Sequence, residues 1–203
     1  MALVQRVQNI CLKPKQEWEV IAGETSSTAD LLKNYALPLA AIGVVAGFIG
    51  MSFIGMSIPF LGTYRVPMVT GLVGAAVGLA IQLASVFVLG LIIDALAPKF
   101  GGEKNSAQAL KVAVYSFTPG WAVSVVRIVP SLGVLAGLAS LYGIYVLYLG
   151  LPRLMKSPQE KAVTYTLVVV ACGIGIFIVA GLISGAIVGA GAMATGALPS
   201  GIR

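Results

Sequence analysis

Five long stretches of this chain carry no charged side chain: residues 34–64, 66–93, 112–126, 128–152 and 162–202. A helix needs about 20 apolar residues to cross about 30 Å of hydrocarbon, and four of the five intervals exceed that length. Lipid offers the backbone no hydrogen-bond partners, and the strict alternation of a barrel strand is missing, so the intervals predict helices. The predicted spans are 36–57, 68–93, 108–128, 131–151 and 163–186. The third rests on the short interval between Lys111 and Arg127; it still spans, because long basic side chains at helix ends can reach the headgroups. Beyond residue 186 the last interval becomes a Gly, Ala and Ser-rich tail, GAGAMATGALPSGIR, too weak for another crossing; six spans is the alternative. The expected fold class is an all-α integral membrane protein, a five-transmembrane-helix bundle. An amphipathic segment (1–33) precedes the membrane domain (34–190), and a Gly/Ala-rich tail (191–203) follows it.

Composition narrows the function classes. With 58% hydrophobic and 10% charged residues and a mean hydropathy of +0.98, the chain lies far from the one quarter charged, roughly, of a soluble domain. No soluble catalytic domain is accommodated. The net charge of +6 comes from thirteen basic residues spread thinly among apolar runs, which is not the clustered patch that phosphate tracking needs, so no nucleic-acid partner is expected. Cys11 and Cys172 fall in different environments, which argues against a disulfide. Histidine is absent, removing the commonest metal ligand and proton shuttle; no cofactor or metal is expected. Arg6, Lys13, Lys15, Glu17 and Glu19 interrupt the N-terminus before a signal-peptide core can form.

Orientation follows from the basic residues beside the spans. Ten lie on the N-terminal side: Arg6, Lys13, Lys15, Lys33, Lys99, Lys104, Lys111, Arg153, Lys156 and Lys161. Only Arg65, Arg127 and Arg203 lie opposite. The expectation is a cytoplasmic N-terminus and an external C-terminus. Before the first span, Leu3, Val7, Ile10 and Cys11 recur at helical spacing, and Trp18, Ile21 and Ala22 do so after Pro14. Such segments either lie along the inner leaflet with Trp18 at headgroup depth or pack on the ends of the bundle.

Ionisable groups inside a membrane mark function by default, and here none stands at the centre of a span. The candidate polar and kink positions are Gln82, Asp94, Lys111, Tyr115, Pro119 and Arg127. Asp94 and Lys111 could pair across their hairpin or be solvated separately at the interface. Gln82, nearly central in the second span, can bond another helix or line a polar path. Pro119 removes a helical hydrogen bond beside Ser116 and Thr118 and predicts a kink; a broken helix is also where transporters hold substrates. Pro130 marks a tight turn into the fourth span. Tyr142, Tyr145 and Tyr148 form a stripe whose hydroxyls need partners. In the loop 94–105, Gly101 and Gly102 supply a sharp turn and Asn105 or Ser106 a helix cap; the spacing is not that of a phosphate-binding loop. Gly43 and Gly47, Gly74 and Gly78, Gly133 and Gly137, and Gly181, Gly185 and Gly189 recur every four residues and are candidate helix-packing positions.

Several segments together carry a family resemblance: Pro14 with Trp18, Tyr35 with Pro38, DALAPKFGG at 94–102, YSFTP at 115–119 and LYGIYVLYLGLP at 141–152. The chain resembles the Ypt-interacting protein (Yip) domain family in its prokaryotic form. That resemblance implies a five-helix membrane domain with a cytoplasmic N-terminus, resident in a prokaryotic inner membrane. Eukaryotic relatives look like organisers of vesicle traffic that bind Rab-type small GTPases. Their Asp-Leu-Tyr-Gly-Pro motif is replaced here by NYALP at 34–38, and Val114 stands where the family's Gly-Tyr-x-x-x-Pro has glycine, which makes GTPase binding doubtful. The functional expectation is a non-enzymatic multi-pass membrane protein of membrane organisation or trafficking, acting through helix–helix contacts, lipid, a second copy or another membrane protein. The alternative is a small channel or transporter using the kinked third helix.

Overall fold

The computed structural model describes residues 2–25, 27–58 and 62–194. Five helical units among these residues are long and apolar enough to cross a membrane: Thr28–Ile54, Met68–Phe100, Ser106–Ile128, Pro130–Met155 and Gln159–Ile187. They match the expected spans in number and order, with several ends extended by a turn or two.

Two short helices, α1 (Leu3–Leu12) and α2 (Pro14–Gly23), come first. Pro14 opens α2, where a missing N–H costs nothing. The first span comprises α3 (Thr28–Asp30), a π-helical stretch at Leu31–Ala36, α4 (Leu37–Ile49) and a second π-turn at Gly50–Ile54. Ser27 caps it by accepting from the Asp30 N–H at 3.0 Å. Pro38 cannot donate to the carbonyl four residues back, and the backbone before it widens into the π form. A hairpin of β1 (Met56–Ile58) and β2 (Gly62–Tyr64), antiparallel with Ser57 opposite Thr63, leads to the second span.

The second span is α5 (Met68–Leu96) with a 3-10 turn at Ala97–Phe100. Gly101 ends it in the left-handed region at φ 75°, where a side chain would be strained. Asn105 caps α6 (Ser106–Ser116) by accepting from the Gln108 N–H at 3.1 Å, as anticipated. The third span breaks after Ser116: Phe117 interrupts the helix, and α7 (Thr118–Val123) restarts with Pro119 in its first turn, followed by a 3-10 stretch Ser124–Ile128. The expected kink is therefore present. Extended Val129 and a 3-10 turn at Pro130–Leu132 lead into α8 (Gly133–Met155).

The last helix, α9, runs Ala162–Ala194 and corrects the placement of the tail. At 1.5 Å per residue it is roughly 50 Å long, well beyond one crossing, because Gly, Ala and Ser in a small-residue run still propagate a helix already nucleated by the apolar run before it. Residues 195–203 of the expected tail lie outside the described residues.

The third span is the hub. Of its most apolar window 67% is buried, against 28% or less in the other four. It packs on α5 and α8, while α9 flanks α5 and α8 at the periphery. This explains why the shortest and least apolar interval still crosses: protein surrounds it more than lipid does. Glycines set some of the closest approaches. A β-carbon on Gly43 would stand 2.5 Å from the Ser124 hydroxyl, one on Gly150 would stand 2.6 Å from the Trp18 ring, and one on Gly143 would strike the Ser116 carbonyl.

The glycine-ladder expectation needs correction. Gly43 is a true packing position, and Gly74 is half-buried. A β-carbon at Gly47, Gly78, Gly133, Gly137, Gly181, Gly185 or Gly189 would meet nothing within 4 Å among the described residues. Those ladders do not join helices within the chain; close contacts fall instead where glycine faces serine, a backbone carbonyl or an aromatic ring.

Candidate functional site

The expected site residues separate into three places. Near the N-terminal end, α1 and α2 pack as a hairpin on α7 and α8. Arg6, 6% exposed, donates to Glu17 at 2.5 Å and also to Glu24, and Asn9 donates to the other Glu17 oxygen at 2.8 Å. Burial opposes the Arg6 charge, but the Glu24 hydrogen bond and the surrounding negative charge outweigh it and hold the guanidinium pKa above its usual value. The same guanidinium lies 5.8 Å from the Tyr115 ring centre, within cation–π reach. Trp18 and Tyr35 meet that ring edge-on at 6.0 and 4.9 Å. Tyr115 is thus the aromatic floor of a clamp.

Trp18 is 1% exposed and donates its indole N–H to the Val146 carbonyl at 3.0 Å. Packing on the bundle, rather than headgroup depth, describes its place. Lys111 does not reach the headgroups either. It is 3% exposed, and its ammonium donates to the Ile21 and Glu24 carbonyls at 3.3 and 2.5 Å, capping the C-terminal end of α2 where the helix dipole favours a cation. No Asp94–Lys111 pair forms among the described residues. Asp94 stands at the end of α5 with its Oδ1 buried and unpartnered, next to Ile93, whose carbonyl accepts from the Tyr165 hydroxyl at 2.5 Å. Phe100 stacks on Tyr165 at 4.7 Å, docking the DALAPKFGG turn on α9.

Two tyrosines of the stripe find hydrogen-bond partners: Tyr142 donates to the Cys11 carbonyl in α1 at 3.1 Å, and Tyr148 accepts from Gln159 at the start of the fifth span at 3.3 Å. Both cysteines are free; burial pushes the Cys11 thiol pKa up. Pro119 is buried behind the break, where Tyr35 and Thr118 share a hydroxyl–hydroxyl hydrogen bond of 2.9 Å. That bond ties the π-helical stretch of the first span to the restart of the third.

Gln82 and Arg127 alone of the six polar and kink candidates line a cavity of about 290 Å³ that draws on all five spans. Ala40 and Gly43 come from the first, Gln82 and Leu89 from the second, Ser116, Phe117, Gly120, Trp121, Ser124 and Arg127 from the third. The fourth adds Ser140, Leu147 and neighbours, and the fifth adds Val169, Gly173 and Phe177. The walls are mainly apolar. Ser116, Ser124 and Ser140 each donate to a carbonyl of their own helix: Val112, Trp121 and Ala136. Trp121 is 3% exposed and its indole N–H has no partner among the described residues. A buried, unpaired donor costs about 1–3 kcal/mol, so this one is a feature to be explained. Ser116 stands beside the predicted kink, but neither it nor Trp121, Ser124 or Ser140 is among the positions that the sequence nominates. A signal was present: Ser116, Gly120 and Ser124 recur every four residues, a small polar face on the most buried helix.

Spanning helices of this length around a partly polar interior define a multi-pass integral membrane protein. A model of the Yip1 domain matches residues 9–195, and the chain belongs to that family. It is 29% identical over 164 residues to the inner membrane protein YohC of Escherichia coli, in strain K12 and equally in strain CFT073, with 79% of this chain and 84% of the relative covered. No solved structure matches. The family, the relative and the five spans together place the protein in the inner membrane.

Proposed function

We propose that the protein is a non-enzymatic component of the inner membrane, oriented with its N-terminus in the cytoplasm, that acts by holding a lipid-like molecule in its interhelical cavity. One observation carries this reading: the cavity lies within the spans, its walls are largely apolar, and its lining contains no carboxylate, thiol or imidazole among the described residues. Acid–base, nucleophilic and metal chemistry all need such groups converging on one point. Its volume stands at the small end of ligand pockets, about 300–1,000 Å³, a size suited to one acyl chain rather than a whole phospholipid.

Lipid retained after extraction in mild detergent, counted by native mass spectrometry, tests the proposal. Wild type retains acyl lipid and Gly173→Leu, which fills the cavity from α9 beside Leu89, retains less at equal helicity. Retention unaffected by filling the cavity refutes it. A channel or transporter is the second reading, favoured by Gln82 and the broken third span, whose Phe117 also borders the cavity. Liposome flux lost in Gln82→Leu and Pro119→Ala supports that reading; absence of flux for any ion or small solute removes it.

A further inference from the structure

The polar groups around the cavity are not balanced. Arg127 is its one charged lining residue, exposed and without an ion-pair partner among the described residues. The Trp121 N–H is buried and unpaired. Gln82 is half-buried, and its amide has no hydrogen-bond partner among the described residues. The three serine hydroxyls have already given their hydrogens to backbone carbonyls. What the lining offers an occupant is therefore one cation and two kinds of unspent N–H donor, with no carboxylate to oppose an anion. Arg127 lies six residues beyond Trp121 along α7 and the 3-10 stretch that follows, roughly 9–12 Å by helical rise. The donors are thus graded from a charged end to a buried neutral one, with Leu89, Leu147, Val169 and Phe177 among the apolar walls.

Resting on the lipid-holding reading above, we infer that the occupant is an anionic acyl amphiphile, its negatively charged oxygens at Arg127, its carbonyl accepting from Trp121 or Gln82, and its chain against the apolar wall. Guanidinium groups bind oxyanions through several parallel N–H bonds, and a carbonyl is the acceptor that an acyl lipid carries one step below its headgroup. The arrangement selects charge at one end and an ester carbonyl at the other. Phosphatidylglycerol carries both groups; a free fatty acid carries the charge at Arg127 without a second carbonyl, and phosphatidylcholine has the carbonyl without the net charge.

The test uses the full chain with Trp18→Phe, leaving Trp121 as the single indole, in phosphatidylcholine vesicles. Brominated phosphatidylglycerol, brominated oleate and brominated phosphatidylcholine are titrated in separate arms, and Trp121 quenching is followed. At least one anionic probe is expected to quench at about tenfold lower mole fraction than the zwitterionic one, with Arg127→Gln abolishing the difference; which anionic arm responds identifies the source. Should Trp18→Phe not fold, retention by native mass spectrometry replaces quenching: Arg127→Gln loses anionic lipid about tenfold, and Trp121→Phe, which keeps a ring but not the N–H, loses acyl lipid of both charge types. Equal potency of all brominated probes, with Arg127→Gln inert, overturns the headgroup inference while sparing the lipid-holding reading. Absence of quenching by any probe overturns both.

Discussion

Replacing Arg6 with methionine should be among the most damaging single changes in the N-terminal hairpin, although residue 6 lies outside every span. The guanidinium links α1 to Glu17 on α2 and to Glu24 just after it, and the Arg6 and Glu17 side chains are only 7% and 5% exposed. Without Arg6, Glu17 keeps a single neutral donor, Asn9, and remains buried as an uncompensated carboxylate. Breaking a buried pair by removing one partner costs about 3–5 kcal/mol. The exposed pair Arg153–Glu19, at 3.3 Å with both side chains over half exposed, supplies the contrast: Arg153→Ala should cost no more than about 1 kcal/mol. Reversible unfolding in mixed micelles titrated with dodecyl sulfate, followed by indole fluorescence, measures both, since Trp18 sits beside Tyr115 in the same cluster. The double variant Arg6→Met with Glu17→Leu should recover most of the loss, because it removes the stranded charge along with its partner. If Arg6→Met costs as little as Arg153→Ala, or the double variant is no better than the single one, the buried-pair account is wrong.

Gly150→Ala should destabilise by about 1–3 kcal/mol in the same assay, since its β-carbon would overlap the Trp18 ring; Gly181→Ala, where space is open, should change little, and equal effects would contradict the packing described. Cys11 should alkylate more slowly than free cysteine at pH 8 and gain rate as pH rises past the ordinary thiol range, because burial raises its pKa and lowers the thiolate fraction; matched rates at pH 8 would count against it. Tags at the two ends should report opposite compartments in spheroplasts, the N-terminal one protected and the C-terminal one accessible; a shared compartment would exclude a five-span topology.

Much of the architecture is legible in the order of residues because lipid is a harsh solvent for charge. The charge-free intervals give the number of spans, Pro119 the break, Asn105 the cap before α6, and the DALAPKFGG turn its left-handed Gly101. What faces what is another matter. Lipid tails solvate a leucine as well as another helix does, so an almost uniformly apolar segment such as α9 carries little periodic signal of its inner face. Tertiary structure alone shows that Val169, Gly173 and Phe177 turn toward the cavity. The same limit explains the glycine ladders: four-residue spacing marks a face that could pack closely, but shape complementarity chooses Gly150 for Trp18 and leaves Gly181 open. Charged residues before the first span were equally ambiguous, because pairing between Arg6 and Glu17 depends on the reversal of direction at Pro14. Sequence determined that oil surrounds this chain and where it enters and leaves that oil; only folding decided which few polar groups would be left inside without partners.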